Sequence, residues 1–68
     1  MMQYVYIVCI SREPYIYKVC LQEKDAIKHG RRLATKFLIE GFDAKVLLYR
    51  QSITRNGEVE FCKTLMPF

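Results

Sequence analysis

Between Glu23 and Gly41 the apolar positions repeat with the period of a helix. In EKDAIKHGRRLATKFLIEG, Ala26, Ile27, Gly30, Leu33, Ala34, Phe37 and Leu38 recur at i, i+3, i+4 and i+7 and fall on one side. Lys24, Lys28, Arg31, Arg32 and Lys36 fall on the other side, five of the 11 Lys and Arg in the chain. Glu23 and Asp25 at the start and Lys36 near the end suit the helix dipole. Gln22 is a poor N-cap, whereas Gly41 is a natural left-handed terminus. Gly30 costs a helix about 1 kcal/mol against alanine. On the apolar side, it reads as a point of close approach between helix and sheet.

The flanking segments read as strands. Gln3 to Ile10 is rich in Tyr, Val and Ile and apolar on both faces. Ser11-Arg12-Glu13-Pro14 is a turn, because Pro14 cannot donate to a central ladder. Tyr15 to Leu21 resumes as a second strand, with Tyr15, Tyr17, Val19 and Leu21 as the expected core face. Phe42 to Ile53 is a third strand and Val59 to Met66 a fourth, joined by a turn over Thr54 to Glu58 with an Asn-Gly signal. A two-residue Asn56-Gly57 loop sets Arg50 against Lys63, an unfavourable like-charge pair. A three-residue Arg55-Asn56-Gly57 loop with Gly57 in a left-handed bulge instead pairs Ile53 with Val59 and Leu47 with Leu65, and groups Tyr49 with Phe61. Glu58 and Glu60 are expected to balance Arg55 and Lys63.

The expected fold class is therefore α+β: a single domain over residues 1–68 in ββαββ order, with a four-stranded, mostly antiparallel sheet and one amphipathic helix on one face. The other face must meet water or a partner. In the first strand Val5, Ile7 and Cys9 point one way and Tyr4, Tyr6, Val8 and Ile10 the other, so either choice leaves an apolar set outside. A greasy, tyrosine-bearing patch of that kind marks an interface, unless the Leu65-Met66-Pro67-Phe68 end folds across it.

At 68 residues the chain buries only about 60% of its unfolded surface, so partners are expected on the outside, and no cofactor is expected. The net charge of +4 favours anionic partners, although seven acids are mixed in. Cys9, Cys20 and Cys62 are odd in number and sit in apolar runs, which reads as free thiols in a reducing cytoplasm. The N-terminal run has neither a basic region nor a cleavage site for a signal peptide, and no apolar stretch approaches a membrane span.

Candidate chemistry is sparse. His29, the one histidine, has no spacing that suggests a nucleophile or an acid partner, and reads as a surface residue. Cys9, Cys20, Cys62 and His29 lack the paired-cysteine spacing of a zinc site. The three glycines are isolated, which argues against a phosphate loop. The expectation is a protein without catalytic or metal-binding residues.

Binding is the better signal. Lys24, Lys28, Arg31, Arg32 and Lys36 form a basic stripe with Thr35 and Ile39 among them, and an isoleucine beside arginines suggests a contact patch. Tyr4 and Tyr6 are the candidate anchors on the sheet. YVYIVCI, the helix with DAIKHGRRLATKFLIEGF, and KVLLYRQSI together resemble small phage-encoded ββαββ accessory proteins, some of which block host-defence complexes such as CRISPR effectors by steric occupation. That resemblance implies a stoichiometric inhibitor or modulator of a larger host protein or ribonucleoprotein complex. Two other functions fit the residues: sequence-nonspecific nucleic-acid binding, and a structural homodimer formed through open sheet faces or edge strands.

Overall fold

A computed structural model describes residues 3–12, 15–53 and 57–68, with the side chain of Tyr15 outside that description. The elements follow the sequence pattern: β1 (Tyr4–Ile10), β2 (Tyr15–Cys20), α1 (Glu23–Glu40), β3 (Val46–Ser52) and β4 (Val59–Leu65). All three ladders are antiparallel, and the strand order is β2-β1-β3-β4. The hairpin β1–β2 and the hairpin β3–β4 thus meet at the β1–β3 ladder, and α1 packs across one face of the joined sheet.

The helix ends as its residues dictate. Gly41 adopts φ 70°, its N–H donates to Leu38 O at 3.3 Å, and the Phe42 N–H donates to Phe37 O at 2.8 Å. This Schellman pair is closed by the Phe37 and Phe42 rings, 4.8 Å apart. The turn absorbs Phe42 to Lys45, so β3 begins at Val46 and not at Phe42 as the pattern suggested. At the other end Gln22 supplies no side-chain cap, as expected.

The core joins Val8 and Ile10 of β1, Cys20 of β2, Ala26, Leu33 and Ala34 of α1, Val46 and Leu48 of β3, and Leu65 of β4. Gly30 lies directly over this layer, where an added Cβ would collide with Leu65 Cδ1 and sit 3.5 Å from Val46 Cγ1. The close approach read from Gly30 is therefore real.

Four expectations are corrected. Leu38 is 68% exposed, although its neighbour Phe37 packs against the core. In β2 the inward residue is Cys20, while Tyr17, Val19 and Leu21 are exposed. An irregularity opposite Val8 and Cys9 leaves Tyr17 as an extra residue and shifts the phase. The β3–β4 register matches neither loop considered: Val46 faces Leu65 and Tyr49 faces Phe61, with Cys62 the extra residue of a bulge. Tyr49 and Phe61 do share a face, their rings 5.6 Å apart, and Gly57 does take a positive φ of 58°. Glu60 pairs with Arg50, its Oε2 accepting from Nη2 at 2.9 Å and from Nε at 3.1 Å, and not with Lys63. Glu13 and Pro14 of the first turn, and Thr54, Arg55 and Asn56 of the last, lie outside the described residues.

Candidate functional site

The outer side of α1 carries Lys24, Lys28, Arg32 and Lys36, all exposed and each four residues from the next. Adjacent like charges at that spacing destabilise a helix by about 0.2–0.5 kcal/mol per pair. None of the four makes an ion pair, since Arg50–Glu60 is the only one among the described residues. Ile39 stands 79% exposed beside the end of the stripe, next to the exposed Leu38, while the next position of the row itself is the exposed Glu40.

Arg31 and Thr35 behave differently from the rest of the stripe. Arg31 Nε donates to Met66 O and Nη2 to Pro67 O, both at 3.3 Å, and its guanidinium lies 4.4 Å from the centre of the Phe68 ring. Thr35 Oγ1 donates to Arg31 O at 2.8 Å and accepts from the Phe68 N–H at 3.0 Å. These two side chains fasten residues 66–68 along the helix. The terminal segment therefore lies on the helix side and does not cross the open sheet face, and a guanidinium held by two carbonyls and a ring is less free to meet a partner.

Tyr4 and Tyr6 are also placed differently from expectation. Tyr6 packs against the core and pairs with Arg50, and Tyr4 lies beneath the same guanidinium at 4.5 Å. Both stand on the helix side of the sheet, at its margin. Among the described residues paired in the ladders, Tyr49 is a tyrosine that registers with the open side.

The open side is apolar. Ile7, flanked across the ladders by Val19 and Tyr49, is only 7% exposed although no element covers it. Around it Cys9, Ile16, Leu47, Tyr49 and Val59 line a groove of about 480 Å³, and Phe61 extends the patch onto β4. Ile16, Val19, Val59 and Phe61 are each more than half exposed. Burial raises the Cys9 thiol above its ordinary pKa. Burial also raises Cys62, on the helix side, with Arg50 pulling in the opposite direction.

Periodicity missed Val19, Val59 and Phe61 as one surface. The usable signal is in the charges. Lys18 pairs with Val8, Lys63 with Leu48, and Arg50 with Tyr6 and Glu60, so every charged strand residue registers with the helix side. His29 is half-buried on α1, and the thiols are dispersed over the open face and two different edge strands. Among the described residues, no three or more His, Cys, Asp or Glu gather in a metal-binding group, and no helix is long and apolar enough to cross a membrane. Comparison with protein-family models, with curated proteins and with solved structures finds no match.

Proposed function

We propose that this chain is a non-catalytic interaction protein. It engages an acidic surface of a larger host protein or ribonucleoprotein complex through Lys24, Lys28, Arg32 and Lys36, with Ile39 as an apolar contact, and inhibits or modulates that complex by occupancy. The observation that carries this reading is the row of four exposed, unpaired cations, held at a spacing that costs helix stability. Such a row steers an anionic partner and sets its association rate.

The test reverses charge at Lys28 and Arg32 and leaves Arg31 untouched, because Arg31 also holds residues 66–68. The expected result is binding to the captured host complex weakened about tenfold or more, chiefly through slower association, with an unchanged circular dichroism spectrum. Wild-type affinity in the Lys28→Glu/Arg32→Glu variant would remove the helix from consideration.

A second reading, direct nucleic-acid binding, is favoured by the regular spacing of the same cations. It requires a salt dependence of the affinity for duplex DNA with a slope near −0.9 per phosphate neutralised, or about −3 to −4 for the four side chains. An anisotropy titration at two salt concentrations measures it, and absence of binding at low salt excludes it.

A further inference from the structure

The charge distribution over the two sides of the sheet is the reverse of what coverage alone would produce. One helix is about 10 Å across. Four strands at about 4.8 Å spacing make a sheet roughly 19 Å wide, so the helix side keeps wet margins. Lys18, Arg50, Glu60 and Lys63 all stand on that side. No described element lies over the other side, yet among the described strand residues no Asp, Glu, Lys or Arg projects from it. Its residues are Val5, Ile7, Cys9, Ile16, Val19, Leu47, Tyr49, Gln51, Val59, Phe61 and Thr64, by strand register. A sheet face that meets water alternates polar with apolar. This one has the composition of an interior.

We propose that the open face docks against the same face of a second copy of this chain. Charge selects that occupant. Each copy carries +4, so two copies repel wherever their cationic sides meet, and the uncharged face is the one approach that points both helix flanks away from the contact. The edges are less suited to pairing. Both outer ladders are interrupted by an extra residue, and both edge strands carry a lysine, Lys18 in β2 and Lys63 in β4. Strands of six or seven residues at about 3.4 Å per residue give a face of roughly 19 by 23 Å. Two such faces cover close to 900 Å² in projection, beside a floor of about 1,000 Å² for specific interfaces. A reversible dimer is the outcome, with Phe61, Tyr49 and Val59 of each copy meeting across two sheets about 10 Å apart. The dimer places the two basic helices on opposite outer surfaces, so the proposed contact with a larger partner is doubled and not blocked.

Sedimentation velocity over a concentration series tests this on the intact chain. The wild type is expected to show a monomer–dimer equilibrium. Phe61→Glu and, separately, Val59→Lys each weaken it about 30-fold or more while the far-UV spectrum is kept. The Lys28→Glu/Arg32→Glu variant is expected to dimerise at least as well as the wild type, which separates this proposal from the function assigned to the helix flank. In the wild type, alkylation of Cys9 slows as concentration rises, and alkylation of Cys62 does not. A monomer at millimolar concentration, a dimer indifferent to both face substitutions, or alkylation of Cys9 independent of concentration would each overturn the proposal.

Discussion

Gly30 shows how one side chain sets the distance between two layers. Its missing Cβ is the space that Leu65 occupies, and Leu65 is 4% exposed. Gly30→Ala gains about 1 kcal/mol of helix propensity but must displace Leu65 Cδ1. Shortening Leu65 to Val creates the room. The two substitutions are therefore expected to couple: thermal unfolding of Gly30→Ala, Leu65→Val and the pair should give a non-additive term of about 0.5–3 kcal/mol, with the double variant more stable than the sum predicts. Strict additivity would mean that the helix does not rest on Leu65. Gly30 was legible in the sequence, because a glycine on the apolar stripe of a good helix needs a steric reason. Arg31 was not. It belongs to the polar stripe by periodicity, and only the return of residues 66–68 along α1 gives its guanidinium two carbonyls and the Phe68 ring.

Among the elements, α1 was the most legible and β2 the least. The helix has one apolar stripe, a left-handed glycine stop and no competing pattern, so its observed limits, Glu23–Glu40, lie within one residue of expectation. Its weak point is the start. Gln22 is extended, with φ −122° and ψ 138°, and offers no side-chain acceptor to the first turn. Gln22→Asp supplies one and is expected to add about 0.5–1 kcal/mol, raising Tm by about 2–8 °C in a scanning experiment. No change would mean that the first turn is satisfied in some other way. In β2 the set Tyr15, Tyr17 and Val19 is wholly apolar while the other set holds Lys18, so hydrophobicity alone selects the set that the structure leaves exposed at Tyr17 and Val19. The choice falls instead to the bulge at Tyr17 and to the one position, Cys20, that reaches under the helix. The β3–β4 register escaped for the same reason, because the extra residue at Cys62 resets the pairing and local turn chemistry does not encode it.

For the whole molecule, a layer this thin leaves little reserve. Leu48 is fully buried at the centre of the sheet, while Leu38 is 68% exposed on the same chain. Leu48→Ala is expected to cost about 2–5 kcal/mol, a large part of the stability of a small domain. Leu38→Ala should change stability by no more than about 0.5 kcal/mol. Urea titrations of the two variants check the contrast, and equal midpoints would mean that the burial pattern is wrong. The same thinness puts both proposed contacts on outer surfaces. One surface is the cationic outer flank of α1 and the other is the uncharged open face, and they lie on opposite sides of the sheet.

The sequence by itself determined the α+β class, the ββαββ order, the helix with its stop and its cationic side, and the apolar character of both faces of β1. Each of these follows from periodicity or from local backbone chemistry, which act over a few residues. Only the tertiary structure decided which face the helix covers, that Tyr4 and Tyr6 lie on the covered side while Tyr49 and Phe61 lie on the open one, and that Arg31 and Thr35 are occupied by residues 66–68. Those outcomes depend on bulges and on contacts between residues more than thirty positions apart, where a shift of one residue moves every side chain of a strand to the opposite face.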